Sequence, residues 1–441
     1  MTDSSKPKLY DAIIIGAGLA GLTCANQLLK DGFSPLLLEA SDAPGGRVRT
    51  DIVDGFRLDR GFQVFLSAYP EAAHTLDYAR LDLQSFCSGA LVRLGGTFTR
   101  VADPIREPQA LFATLTSDIG SLQDKLKVAY LRQKVMNMPV AEIFRQPERT
   151  IYKALKESYG FSDAMIDHFF RPFFGGITLD ASLSGSSRMF EFVFKMMSEG
   201  LVTVPRLGMG EISKQLAGKI PEQNLRLNCR VQSIEQQNGN DSGDALKVLL
   251  ADGSKLHGRA IIIATEGPEA HRLCPSIETP EFKRTTCLYF AADKTPVKEA
   301  ILLLNGQTGK DGLINNICVM SNASKDLAPP GQHLISVTLL GDTSKCSDLE
   351  STVKQEMVQW FGAEADKYRH LKTYNIAQAL PDQSPPWLEI PQKPVKVALD
   401  GQNIYVCGDY RDNGSINGAM TSGRRTAQQV LKDLKITVGL A

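Results

Sequence analysis

Residues 11–21 read Asp11-Ala-Ile-Ile-Ile-Gly16-Ala17-Gly18-Leu-Ala20-Gly21, and Pro35-Leu-Leu-Leu-Glu39-Ala40 follows at 35–40. The uninterrupted apolar run before Gly16 has the character of a strand buried on both faces. The glycines make a tight turn, and Leu22–Leu29 carries on as a helix. Gly16 permits the turn, Gly18 lets the backbone approach a pyrophosphate, and Gly21 lets the helix pack against the strand. The N–H groups of the helix's first turn are free for an anion, and the helix dipole favours negative charge there. Glu39 closes a second buried strand, 18 residues after Gly21. A carboxylate at that place can take both hydroxyls of an adenosine ribose. Strand, turn, helix, strand and acid in register predict a dinucleotide-binding βαβ unit.

The chain has 441 residues, 43% of them hydrophobic and 22% charged, with no net charge. That length accommodates two or three domains. The charge balance gives no electrostatic case for nucleic acid. Eight cysteines occur without C-x-x-C spacing, so neither a zinc site nor a disulfide framework is expected, and a reducing cytoplasm fits. Lys6 and Lys8 before an apolar run resemble a leader, but the glycine register and Glu39 explain that run better. No apolar stretch reaches the ~18 residues of a membrane span. Peripheral membrane contact stays open.

Two distant segments read as parts of the same nucleotide domain. In one, Leu225–Gln236 and Leu246–Leu250 are strands flanking a polar loop at Gln237–Asp244. Asp252-Gly253 is a hairpin turn, and Arg259–Thr265 is a buried strand. In the other, Asn403–Cys407 is a strand and Gly423–Leu434 a helix. Between them, residues 104–200 read as mostly helical, with helical periodicity over Ile119–Met136. Residues 280–390 mix strands (Thr285–Ala291, His333–Leu340) with a helix at Leu349–Phe361, and 381–394 is rich in proline. The predicted fold is α/β. A discontinuous Rossmann-like domain (1–75, 205–270 and 395–441) carries an inserted, mixed α+β substrate domain (76–204 and 271–394).

Three further motifs join the fingerprint: Pro44-Gly45-Gly46-Arg47, Leu58-Asp59-Arg60-Gly61-Phe62-Gln63-Val64, and Gly408-Asp409-Tyr-Arg-Asp-Asn-Gly414-Ser415-Ile416-Asn417-Gly418-Ala419. Together they resemble the FAD-dependent superfamily of flavin amine oxidases, phytoene-type desaturases and protoporphyrinogen oxidase. The resemblance implies FAD. It sets Arg47 near the pyrophosphate, where a guanidinium neutralises phosphate charge. It also sets Gly61, Phe62 and Gln63 along the isoalloxazine, the Val231 backbone at the adenine, and Asp409 toward the ribityl chain. Pro205-Arg-Leu-Gly208-Met-Gly210 resembles the turn back into the cofactor domain. The helix opening at Ile416–Ala419 would aim its N–H groups at the flavin pyrimidine, favouring the negative charge of the reduced ring. No cysteine precedes residue 403 where covalently flavinylated relatives carry one, so non-covalent FAD is expected, with Cys407 a packing residue. No second fingerprint for NAD(P)H is present. Electrons would pass from substrate to oxygen, a quinone or another acceptor.

The substrate side reads as apolar. Arg171-Pro-Phe-Phe-Gly-Gly176 and Met189-Phe-Glu-Phe-Val-Phe-Lys-Met-Met197 are dense in Phe and Met, which suits either ordinary core or a hydrophobic tunnel. Phe62, Tyr289, Trp387 and Tyr410 are candidates for the flavin face, where two rings could flank an amine. Arg171 is a candidate for a substrate carboxylate or a local partner. His168 and the other scattered histidines read as structural, and no metal site is expected. Three functions stay open: an amine-oxidase-like enzyme oxidising a hydrophobic substrate by hydride transfer; a desaturase, dehydroxylase or isomerase of a polyisoprenoid; and a non-catalytic binder, as the GDP-dissociation inhibitors of this fold are. The intact Gly16, Gly18, Gly21, Glu39, Arg47 and Asp409 argue against the third.

Overall fold

A computed structural model of the chain describes residues 8–102, 106–107, 119–235, 246–307, 312–389, 392–399 and 402–439. Its centre is a six-stranded sheet in the order Leu225–Arg226, Pro35–Leu38, Ala12–Ile15, Ile261–Ile263, Gln402–Val406, Lys396–Leu399. All neighbours run parallel except the last pair. Ile13, Ile14 and Ile261–Ile263 are fully buried, which is why these strands are continuous apolar runs rather than alternating ones. Helices Leu19–Lys30 and Ile416–Gly439 pack on one face. They cross so closely that a Cβ on Gly423 would stand 2.2 Å from the Ala20 carbonyl. A four-stranded sheet covers the other face, Val231, Ile234, Val248 and Leu250 packing on Ile13, Ile15, Ile261 and Ile263.

A seven-stranded sheet forms the second body, in the order Arg369–Pro381, Phe282–Ala292, His333–Leu340, Ile314–Val319, Leu302–Asn305, Gly89–Leu94, Thr97–Ala102. Its two faces follow strand alternation. Leu288, Phe290, Ile335, Val337 and Leu339 pack on helix Leu349–Phe361. Cys287, Tyr289, Ala291 and Cys318 belong instead to the core shared with the helical block and the cofactor helices. In that block, helix Ser187–Glu199 is buried on nearly every side, and Phe161, Phe170, Phe174 and Phe190 form its packed centre.

Strands His333–Leu340 and Leu246–Leu250 and helix Leu349–Phe361 stand where the sequence indicates. The strand expected over Leu225–Gln236 is instead two. Leu225–Arg226 joins the parallel sheet and Val231–Glu235 the four-stranded one. Asn228, at φ +51°, turns the chain between them. Its N–H and that of Cys229 bond to the carbonyls of Ser41 and Glu39. The C-terminal helix starts at Ile416, where the resemblance sets its opening and seven residues before the Gly423 that composition alone indicates. Its glycines lower propensity, but packing on Ala20 overrides that. The polar loop expected at Gln237–Asp244 lies outside the described residues, as does part of the expected helical stretch between 103 and 118.

Candidate active site

Four parallel strands end at one edge of the central sheet, and each hands its next residues to the same place: Gly16–Gly18, Glu39, Ala264–Glu266 and Cys407–Asp409. The carboxyl edge of an open α/β sheet is where such folds bind ligands. Gly16 has φ +107°, and a Cβ there would meet the Ala264 carbonyl at 2.8 Å. On Gly21 a Cβ would stand 2.0 Å from the Gly16 carbonyl. Gly18 differs: nothing lies within 4 Å of the Cβ it lacks. It is the N-cap of Leu19–Lys30, with no side chain capping the first turn and no acid in it. An open, uncapped helix start beside a chain reversal suits a pyrophosphate.

Glu39 is held by the Ala17 N–H (2.8 Å) and by the Ser41 N–H and hydroxyl (2.9 and 2.7 Å). Ala40 beside it is exposed. Val231 begins its strand just beyond the 228–229 backbone pairing with this turn, and its carbonyl accepts from Arg272. Gly45 bonds to the Ala17 carbonyl, and Gly46 lies 3.4 Å from Gly18 when given a Cβ. Arg47 donates to Asp409 (2.7 Å) and to the Ala379 carbonyl (2.9 Å), with Glu266 at 3.6 Å. Burial works against its charge, but Asp409 and Glu266 outweigh it and hold the guanidinium more firmly protonated than usual. Burial pushes the Glu266 carboxyl up, against Arg47. Glu266 was not singled out in the sequence. Its signal was position: it follows an Ile-Ile-Ile strand parallel to the first.

From Gly18, Gly45, Arg47 and Asp409 a cavity of about 720 Å³ runs into the second body. Gly61, Phe62, Gln63, Ser415, Ile416 and Ala419 line it near the cofactor end, opposite Ile376 and Ala379–Gln383. Gln63 is fixed by the carbonyls of Arg47 and Arg60. Ser415 caps the C-terminal helix through the Gly418 N–H (3.0 Å). The Asn417 side chain turns away and accepts from the Glu71 N–H (2.9 Å), while Gly408 is buried behind Asp409. Further in, the wall is Phe169, Phe173, Ile177, Val193, Phe194 and Met197. Phe169 and Phe173 stack, with ring centroids 5.5 Å apart.

Among the polar residues on this wall is an ion-paired seam, and sequence reading missed it because its members lie in three separate segments. Lys283 reaches Asp382 at 2.8 Å and Asp180 at 3.8 Å. Serines 182, 184 and 384 donate to these carboxylates. Burial would raise both acids, but the serine bonds and Lys283 keep them below the ordinary range.

Four of the five substrate-face candidates lie off the wall. The Tyr289 ring is buried behind the Gly61–Gln63 segment, its hydroxyl on the Gly61 carbonyl (3.3 Å). Tyr410 is fully buried in the core beneath the sheet edge. Trp387 packs under Lys393 (4.2 Å). Arg171 is occupied by Asp167 and by the Ala181 carbonyl (2.6 Å). Phe62 alone of the five lines the cavity. Likewise His168 serves structure, bonded to the Gly306 carbonyl (2.7 Å), and Cys407 is buried. Among the described residues, no two aromatic side chains from 58–64, 376–383 and 408–419 face the cavity together.

Comparison with known proteins gives the family and the fold. The chain is 24% identical to a 15-cis-phytoene desaturase of Capsicum annuum, over 98% of this chain and 79% of that one. An oxidoreductase from Methanosarcina mazei superposes with a TM-score of 0.72 at 20% identity, covering 95% and 99% of the two chains. Cyclohexylamine oxidase from Brevibacterium oxydans does so at 0.65 and 16% identity, covering 97% and 100%. The profile of the flavin-containing amine oxidoreductases matches residues 19–431, nearly the whole length, and the chain belongs to that family.

Proposed function

We propose that the protein is an FAD-dependent oxidoreductase that takes a hydride from a long, apolar substrate of the polyisoprenoid class, with FAD bound non-covalently. The observation that carries this reading is the wall of the cavity. Phe, Met, Val and Ile predominate in it from Phe62 inward, and among the described residues no two rings from 58–64, 376–383 and 408–419 face it together to flank an amine. Such a wall binds hydrocarbon by area and excludes water.

The cradle residues fit the cofactor. Gly18 leaves room for the pyrophosphate, Arg47 supplies positive charge, and Glu39 offers an anchored carboxylate to the ribose. When bound, FAD supplies the hydride acceptor. The start of the C-terminal helix, capped by Ser415, contributes N–H groups that favour negative charge at its end. Loss of hydride from carbon leaves a cation whose neighbouring proton needs only a weak base. We assign that role to the seam carboxylates, Asp180 and Asp382.

A second reading, amine oxidation, draws on the same seam, because two carboxylates against one lysine suit a cationic substrate. Anaerobic bleaching of the visible flavin absorption separates the two. Polyisoprenoid hydrocarbons in micelles are expected to bleach it and primary or secondary amines to leave it unchanged. Bleaching by amines alone would replace the first reading by the second.

A further inference from the structure

The two faces of the seven-stranded sheet differ in polarity. Leu288, Phe290, Ile317, Val337 and Leu339 fill the face away from the cavity. Toward the cavity the same strands present Lys283, Thr285, Asn316, Cys318 and Thr338. Lys283 belongs to the acidic seam, and the Thr285 hydroxyl donates to the Leu339 carbonyl (2.7 Å). Asn316 and Thr338 stand directly opposite each other on neighbouring strands, 3% and 5% exposed.

Asn316 reaches the cavity through a β-bulge. The pairing of Ile314–Val319 with His333–Leu340 steps from Ile314↔Leu339 to Asn316↔Thr338, so Asn315 is an extra residue. Residues two apart on a regular strand share a face. Here Ile314 packs in the far core while Asn316 lines the cavity, as a bulge that re-aims a side chain produces. The Asn315 amide donates to Asn316 Oδ1 (2.9 Å) and to the Pro172 carbonyl (3.1 Å), which fixes the Asn316 amide. Helix Arg171–Thr178 meets this pair with Gly176. A Cβ on Gly176 would stand 2.9 Å from Asn315 Nδ2 and 3.4 Å from Asn316 Oδ1. The backbone there is helical, so no dihedral requires glycine, and glycine inside a helix is destabilising. What its missing side chain leaves is clearance over the asparagines.

Asn316 Nδ2 carries two hydrogens and Thr338 Oγ1 one. Nδ2 donates to Thr338 Oγ1 at 3.4 Å, a long bond. Among the described residues, neither the second Nδ2 hydrogen nor the Thr338 hydroxyl hydrogen meets an acceptor. A donor left unmet in an apolar wall is costly.

We propose that Asn316 and Thr338 bind one uncharged oxygen of the substrate, a hydroxyl or a carbonyl carried by the isoprenoid chain. The open groups offer hydrogens, so an oxygen lone pair suits them and an ammonium, which has none, does not. Lys283, the cation among these five residues, is taken up by Asp382 and Asp180, so nothing on this face calls for a charged oxygen. The inference rests on the isoprenoid reading above and refines it. An apolar wall binds a chain by area and leaves it free to slide. A few placed polar groups fix orientation in such a pocket. One oxygen held at Asn316 and Thr338 sets the register of the chain along the cavity, and with it the carbon presented at the cofactor end.

The test compares citronellol, a short isoprenoid alcohol, with the hydrocarbon of the same skeleton that lacks its hydroxyl. Each is titrated by calorimetry into the flavin-loaded full chain, reduced beforehand so that no hydride leaves the ligand. Thr338→Val is expected to weaken citronellol binding about fivefold and Asn316→Leu about tenfold. Neither should weaken the hydrocarbon, and Thr338→Ser, which keeps the hydroxyl, should bind citronellol as the wild type does. A loss shared equally by alcohol and hydrocarbon would make the pair structural. Unchanged citronellol binding would mean that water already satisfies it. Either result overturns the proposal. Where the variants lose their flavin, the wild type decides by itself. The carbonyl stretch of isotope-labelled citronellal bound to the oxidised protein is expected below its frequency in hexane, and a stretch at the hexane frequency overturns the proposal. None of these readings needs turnover. A protein whose variants lose citronellol selectively, but whose flavin no isoprenoid bleaches, keeps this inference and loses the functional reading. Bleaching by hydrocarbons, with citronellol binding untouched in both variants, does the reverse.

Discussion

Gly18 and Gly21 stand in one short motif, yet substitution should fail for different reasons. Gly18 faces open space, so Gly18→Val is expected to leave the apoprotein's melting temperature unchanged and abolish FAD retention, read as flavin absorbance per protein. Gly21 faces the Gly16 carbonyl at 2.0 Å, so Gly21→Ala is expected to cost ~3 kcal/mol of stability in a denaturant titration. Asp59 gives a third test. It is buried, and that burial lifts its pKa to about 7 against hydrogen bonds from Thr50 and the Met209 N–H. A carboxyl whose folded pKa is raised binds its proton more tightly in the native state. Its contribution is therefore complete below the unfolded value and is lost as pH climbs toward 7, by an amount of order 4 kcal/mol. Asp59→Asn keeps an oxygen for both donors and removes the titration. The stability of Asp59→Asn relative to wild type should rise between pH 4 and 7; a flat difference would show that Asp59 ionises normally.

At the scale of elements, Asp124 ties two helices together. Its carboxylate accepts from the N–H and hydroxyl of Ser121 (both 2.8 Å) and of Ser162 (2.9 and 2.7 Å). Burial acts to raise its pKa, but these donors bring it down to about 2. Asp124→Ala leaves these part-buried donors without their acceptor and is expected to cost about 2 kcal/mol in chemical denaturation. The strand–turn–helix–strand frame from Ala12 to Glu39 was legible in the sequence because its elements obey local spacing. Gly16 to Glu39 is one βαβ unit, and a buried parallel strand advertises itself as an unbroken apolar run. Asn228 shows where that legibility stops. Leu225–Gln236 has the composition of one strand, and only the carbonyls of Glu39 and Ser41, brought near by the fold, break it into two. Tyr289 shows the same limit for the site. Period-two alternation sets it on the cavity side of its sheet, but not that the Gly61 segment would lie in front of it. The Asp180–Lys283–Asp382 seam had no sequence signal, since its members meet only in space.

At the scale of the molecule, the cavity joins a nucleotide edge to a helical block, and its bore is set where the two bodies meet. Val193 lies one turn from both Met189 and Met197 on that wall. Val193→Trp should narrow the passage, lowering kcat/KM for a long substrate roughly tenfold or more while FAD stays bound, at a packing cost of ~1–3 kcal/mol. The central sheet carries a different consequence, one that concerns synthesis. Ile15 pairs with Ile263, and Ile263 with Val406, so the first strand leaves the ribosome about 390 residues before the strand that completes its sheet. At ~5–20 residues per second that is a wait of ~20–80 s. Ile13–Ile15 has Leu36–Leu38 on one side early and an open edge on the other until Ile261–Ile263 emerges. From then until Gln402–Val406 emerges, the unpaired apolar edge is Ile262–Ile263. A chain interrupted before residue 402 carries the whole glycine fingerprint and lacks Asp409 and the helix that packs on Ala20. An apolar strand edge left open during synthesis is exposed to pairing with a wrong neighbour, and completion of the sheet, with Asp409 and the last helix, belongs to the last moments of translation or later.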